Sequence, residues 1–208
     1  MKRIAELDRW PVLIAIAGPN GAGKTTFYEA HIAPAGLRFV NADALAHQFG
    51  SDPYAAAEAA SAIRRAMVRK RESFAFETVF SDPVGDKLKF LEDADCSGYT
   101  VVLCFIGLAS PKLSEERVAM RVSQSGHDVP TEKLRSRFPR TMENLMAAAR
   151  TLPFVFVYDN SDLAHPFREL AVFAGGRLML KSKALPAWFR PLANAASGKE
   201  KTPRPRRK

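Results

Sequence analysis

Gly18-Pro19-Asn20-Gly21-Ala22-Gly23-Lys24-Thr25-Thr26 decides the reading of this chain, because it follows the apolar run Val12-Leu13-Ile14-Ala15-Ile16-Ala17 without a gap. The spacing is that of a phosphate-binding P-loop, G-x-x-x-x-G-K-[ST], in its required setting of strand before and helix after. Glycines at 18, 21 and 23 let the backbone turn so that successive N–H groups point inward at anionic oxygens. A helix beginning near Lys24 adds the positive end of its dipole. Residues 18–26, with Pro19, Asn20, Ala22 and Thr26 contributing backbone, therefore form a nucleoside triphosphate cradle. Lys24 reaches the β- and γ-phosphates, and the Thr25 hydroxyl is placed to ligate Mg²⁺. A plain Gly-rich turn is the alternative, and the flanking elements argue against it.

Outward from the cradle, the chain alternates strand and helix. Strands are expected at 12–17, 38–40, 74–78, 99–106 and 154–158, with a hairpin about Gly175-Gly176 over 167–180. Helices are expected from Lys24 to about Ile32, across 44–72 with Pro53 in a first-turn position, and from Asp82-Pro83 to about Ala94. The βα repeats predict an α/β fold of three layers, with a parallel central sheet. After the fourth strand the alternation breaks. Residues 107–150 read as two helices without an intervening strand, Ser114 capping the first and Thr131 the second, with Pro139 interrupting or restarting the latter. This segment is expected to be a helical lid on a kinase domain spanning 1–180.

Bulk properties narrow the function. The chain has 208 residues and a net charge of +9, of which residues 181–208 carry +8. The basicity belongs to a C-terminal tail, so it does not make the body a nucleic-acid binder. Residues 194–208 read as disordered, while Trp188-Phe189 argues that 184–192 packs against the body. Two cysteines, Cys96 and Cys104, form no disulfide framework, which points to a reducing cytoplasm. The four histidines lack metal-ligand spacing. No apolar run approaches the roughly 20 residues that span a bilayer, and no apolar signal segment follows Met1-Lys2-Arg3.

Chemistry is expected where strands end. Asp43 follows the second strand, beside the strand bearing the P-loop, where ligands of open α/β sheets sit. Phosphoryl transfer to a hydroxyl needs a carboxylate to orient the acceptor and take its proton. Capping the helix that begins at Ala44 is the alternative role. Glu77 and Thr78 end the third strand on the same rim, for a substrate hydroxyl or a water-mediated hold on Mg²⁺. The lid segment carries Arg117, Arg121, Arg135, Arg137, Arg140 and Arg150. From these, Arg121 and Arg137 are placed on the transferring phosphate, a solvated face being the other reading. His127 sits in the turn Ser125–Pro130, as substrate contact or plain turn. Asp159-Asn160-Ser161 follows the fifth strand, where Asn160 is read as part of the nucleobase pocket. No strand-end Asp follows the pattern of a motor ATPase, which points toward small kinases.

The ordered set Gly18–Thr26, Phe39–Asp43, Phe76-Glu77-Thr78, Gly107–Ser114, Gly126–Pro130, Arg137-Phe138 and Asp159–Ser161 resembles the zeta toxin family of P-loop kinases, in its short bacterial form. The resemblance implies ATP-dependent phosphorylation of a hydroxyl on a UDP-activated amino sugar, typically UDP-N-acetylglucosamine, and restraint by a small antitoxin protein. It implies Lys24 and Thr25 on the phosphates and Mg²⁺, Asp43 as base, Glu77 on the sugar, and Arg121 and Arg137 as the phosphate clamp. Rival expectations are another small-molecule or antibiotic kinase, a nucleic-acid kinase or binder using the tail, and a nucleotide-gated regulator without turnover.

Overall fold

In the computed structural model, which describes residues 9–50, 52–123 and 129–197, one seven-stranded sheet runs in the order β2-β3-β1-β4-β5-β6-β7. Its strands are β1 (Val12–Ala17), β2 (Arg38–Val40), β3 (Phe74–Thr78), β4 (Thr100–Gly107), β5 (Phe154–Asp159), β6 (Arg168–Ala174) and β7 (Arg177–Lys181). The first five are parallel. The hairpin expected around Gly175-Gly176 forms and joins β5 antiparallel, so the sheet is mixed rather than wholly parallel. β1 and β4 read as continuous apolar runs because helices or neighbouring strands cover them on all sides.

The helices are α1 (Lys24–Phe27), α2 (Ala42–Phe49), α3 (Pro53–Arg69), α4 (Asp86–Cys96), α5 (Pro111–Ser123), α6 (Thr131–Thr151) and α7 (Arg190–Ser197). On one sheet face Leu13, Phe74, Phe76, Leu103, Phe105 and Val157 pack with Ala60 and Met67 of α3, Leu91 of α4, and Leu145 and Ala148 of α6. On the other, Ile16, Val102, Cys104, Ile106, Phe156 and Tyr158 meet Phe27 and Phe138. The layers are those the alternation of elements called for.

Several helix ends differ from expectation. The helix after the P-loop is α-helical only through Phe27, then widens to a π-turn over Tyr28–Ile32. α4 starts at Asp86, not Asp82, because Gly85 at φ 75° is outside helical geometry. Asp82 instead accepts from Lys87 N (3.2 Å), and its carbonyl accepts from Asn144 Nδ2 (3.1 Å). Ser114 does not cap α5; Ser110 Oγ accepts from Leu113 N (3.2 Å), and Pro111 takes the first position, where its missing N–H costs nothing. Thr131 is the first residue of α6 rather than its cap. Pro139 neither stops nor restarts that helix, whose 21 residues run through it. The buried stripe Leu134, Phe138, Thr141, Leu145 outweighs the one backbone bond that proline removes.

The expected boundary at 180 falls inside β7, and residues 190–197 are helical where disorder was expected from 194. Phe189 and Ala193 are fully buried in the main core. Trp188 closes over the end of β4, where a Cβ on Gly107 would lie 2.1 Å from its Cη2 atom. The ring is also held by its Nε1–H, which donates to Asp159 Oδ1 (3.2 Å). Gly107→Ala is therefore expected to lower stability by about 1–3 kcal/mol, the usual range for overpacking a filled site, with urea unfolding as the measurement.

Candidate active site

Parallel pairing brings the carboxyl ends of five strands to one rim. Ala17 lies level with Thr78 on one side and Phe105 on the other, and Gly107 is level with Asp159. The P-loop leaves β1 at this rim. Gly23, at φ 82°, turns the chain into α1, and a Cβ there would stand 2.8 Å from Asn160 Nδ2. Lys24 is buried at 6% exposure, and its ammonium donates to Pro19 O (3.1 Å) across the loop. Burial pushes its pKa down, while the carboxylates of Glu77 and Asp43 push it up and the Arg121 charge again lowers it. The charges of Glu77, Asp43 and Arg121 thus all act on the P-loop lysine, and Glu77 approaches it to 3.7 Å.

Glu77 is the most connected of them. Its Oε2 accepts from Thr25 Oγ1 (2.7 Å) and from Asn41 Nδ2 (3.3 Å), and its Oε1 lies 3.7 Å from Lys24 Nζ. Among the described residues its partners are Thr25 and Lys24 of the P-loop and Asn41, rather than a surface arginine. Asn41, at the end of β2, was not singled out from sequence. Its Oδ1 accepts from the backbone N–H of Asp43 (2.8 Å) and Ala44 (3.3 Å), so Asn41 caps α2. The capping role considered for Asp43 thus falls to Asn41, and Asp43 stands exposed on the first turn. Asn is a favoured cap residue, and its place just ahead of a helix could have marked the cap, but nothing local to it marks the bond to Glu77.

The lid helix meets the P-loop directly. Ser114 is buried and its hydroxyl donates to Asn20 O (2.6 Å). Arg117, three residues on, abuts Gly21 and donates from Nη2 to Ser161 O (3.2 Å). Burial lowers its pKa, while the nearby Asp159 charge opposes that. Arg121 follows on the same face. Arg137 is half-buried on α6 and Arg140 is drawn away, its Nε donating to Ser81 O (3.0 Å). Arg135 is held on the surface by Glu115, at 2.8 and 3.2 Å.

Two expected contacts serve the scaffold. Asn160 is buried, donating from Nδ2 to Ala22 O (2.9 Å) and accepting from Phe167 N (3.4 Å), so its side chain buttresses the P-loop from behind. Thr78 Oγ1 accepts from Phe80 N (3.1 Å) and shapes the turn after β3. His127 lies outside the described residues.

A P-loop at the rim of a 2-3-1-4-5 parallel sheet, with carboxylates at neighbouring strand ends and a helical lid docked on the loop, defines the P-loop kinase fold. Residues 51–169 match the zeta toxin family, and the chain belongs to it. Solved structures share the fold. A putative kinase from Chloroflexus aurantiacus is 20% identical, with a TM-score of 0.56, over 76% of this chain and 92% of that one. The AvrRxo1-ORF1:AvrRxo1-ORF2 complex with sulphate ions aligns at a TM-score of 0.67 and 17% identity, over 94% of this chain and 66% of that one. The PezAT chromosomal toxin–antitoxin system of Streptococcus pneumoniae aligns at 0.54 and 14% identity, over 92% and 86%. No curated protein matches the chain. Among the described residues, no helix is long and apolar enough to cross a membrane.

Proposed function

We propose that the protein is an ATP-dependent kinase that transfers the γ-phosphoryl group to a hydroxyl of a small metabolite, with a UDP-activated amino sugar such as UDP-N-acetylglucosamine as the favoured acceptor. The observation that carries this reading is the Glu77 carboxylate held between Thr25 Oγ1 (2.7 Å) and the buried Lys24 ammonium (3.7 Å), with Asp43 exposed at the neighbouring strand end. A nucleotide-gated binder needs the cradle but has no use for an exposed carboxylate on the acceptor side of it.

The residues fit MgATP. Thr25 Oγ1 and Glu77 Oε2 are neighbouring hard oxygen donors, the type Mg²⁺ takes. Among the described residues, no group of three or more His, Cys, Asp or Glu side chains could hold a metal unaided. Mg²⁺ would thus be held through Thr25, the phosphates and, directly or through water, Glu77, and would supply charge neutralisation at the β- and γ-oxygens. Lys24 binds the same oxygens. Asp43 orients the acceptor hydroxyl and takes its proton as oxygen bonds to the γ-phosphorus and the bond to the β-bridging oxygen breaks. Arg121, and Arg137 from α6, meet the charge spread over the equatorial oxygens. A small antitoxin protein is the proposed partner, supported by family membership and by the toxin–antitoxin system among the structural neighbours.

The test is ADP release measured against candidate acceptors. Release that depends on a UDP-sugar, with a phosphorylated UDP-sugar found by mass spectrometry, is the expected result. Release driven by an aminoglycoside or an oligonucleotide alone would replace this acceptor with a rival, and no release with any acceptor would favour binding without turnover.

A further inference from the structure

Away from the P-loop, Arg168 at the start of β6, Lys181 at the end of β7, Lys183 just beyond it and Arg190 at the start of α7 line one open concavity of about 460 Å³. Ala184, Leu185 and Pro186 complete its wall. All four cations are exposed. The carboxylate paired with this group among the described residues is Asp159, whose Oδ2 is 3.1 Å from Arg168 Nη2. Two of the guanidiniums are held in place by the intervening loop: Arg168 Nη1 donates to Ala184 O (3.2 Å) and Arg190 Nε to Leu185 O (3.4 Å).

Four like charges lining one hollow repel one another, and while Arg168 and Arg190 are bonded to the loop, Lys181 and Lys183 stand exposed on the wall. Their concave arrangement focuses a positive potential that an anion would relieve. With one cation answered by Asp159, three charges remain, more than a single phosphate carries. Fixed guanidinium forks suit phosphate oxygens in particular. The lining holds no aromatic side chain, whereas single-stranded nucleic acid is gripped by stacking platforms along a basic groove.

We propose that this concavity is a second anion site, separate from the P-loop, for a small ligand bearing two or more adjacent phosphate groups. The site is one residue removed from the donor site: Asp159 faces it through Arg168, and the next residue, Asn160, buttresses Ala22 of the P-loop. Trp188 reports on it, since its indole N–H donates to the same Asp159 carboxylate.

The experiment uses the full-length chain carrying Trp10→Phe, which leaves Trp188 as the single tryptophan, and Lys24→Ala, which disables the P-loop. Tripolyphosphate is titrated at low salt while Trp188 emission is followed. A saturable change is expected, with affinity falling as salt rises. Lys181→Ala/Lys183→Ala in the same chain is expected to weaken binding by about tenfold or more, since each phosphate contact contributes to both affinity and salt dependence. These lysines are exposed, and an unchanged circular dichroism spectrum confirms the fold. Calorimetry on the chain with Lys24 intact provides a second measure: two tripolyphosphate equivalents expected, one in the double lysine variant. Equal affinity in both variants would move binding to the basic residues beyond 197 and overturn the proposal. So would the absence of any saturable signal by both methods, or an oligonucleotide that outcompetes tripolyphosphate at these lysines. None of these outcomes depends on whether the P-loop turns over ATP.

Discussion

Asp43→Asn is expected to lower kcat by about 10²–10⁴-fold, the usual contribution of a positioned general base, while ATP affinity stays within a fewfold of wild type. The structure makes this a clean substitution. Asn41, not Asp43, caps α2, so removing the Asp43 charge leaves the helix start intact. Asp43 is exposed, so the amide needs no new buried partner. Asn keeps the shape and one acceptor oxygen but takes up no proton. Lys24 loses one of the two carboxylates that raise its pKa, and keeps the nearer and stronger influence of Glu77. Steady-state kinetics with the UDP-sugar, ATP titration calorimetry and thermal unfolding together check the expectation. If kcat is unchanged in Asp43→Asn while Lys24→Ala abolishes turnover, the proton acceptor is another group.

Glu77→Gln is expected to raise the Mg²⁺ concentration for half-maximal activity by about 10–100-fold, the size seen when a residue orienting a metal ligand is altered. The acceptor KM should move much less. Sequence alone left Glu77 between the acceptor and the metal. The 2.7 Å bond from Thr25 Oγ1 and the 3.7 Å approach of Lys24 put its carboxylate on the phosphate side of the cleft. The substitution also leaves a buried ammonium facing an uncharged amide, which disfavours the protonated lysine. Mg²⁺ titration of ATP binding, monitored by calorimetry, separates this from loss of turnover. A large rise in acceptor KM with unchanged Mg²⁺ dependence would return Glu77 to the acceptor side.

The lid bears on both results. Ser114 ties α5 to the P-loop through Asn20 O and Arg117 ties it just past the end of β5 through Ser161 O, so the lid's first turns are fixed to the donor site. Arg121 is the next residue on that face and its charge acts on Lys24. Arg137 comes from a different helix, so the contact proposed for it with the phosphate depends on how α6 sits, not on the P-loop itself.

The P-loop, the βα alternation around it and the strand-end positions of Asp43 and Glu77 were determined by the sequence by itself. Each rests on local features: glycine spacing, uninterrupted apolar runs, and a polar residue where a buried run stops. The strand order was not, since β2, expected beside the P-loop strand, is separated from it by β3, which pairs with both. Helix ends were less legible, because the competing bonds come from elsewhere in the chain. Asp82 is claimed by Asn144, and Ser114, which reads as a cap, instead reaches back 94 positions to Asn20. Tertiary contact also decided what the strand-end polar residues do. Asn160 looks like a base-pocket residue until its amide is found beneath Ala22, and Asn41 is silent until it is seen joining Glu77 to the cap of α2. In the basic C-terminal region Trp188-Phe189 already marked 184–192 as packed, and Phe189 does bury completely; what charge-dominated composition hid is that the helix runs on past 194 and that the packing brings Arg190 beside Arg168. A hydrogen-bonding side chain within a few residues of its partner leaves a pattern in the sequence, whereas one that closes a long loop leaves none, and only the fold supplies the second half of the pair.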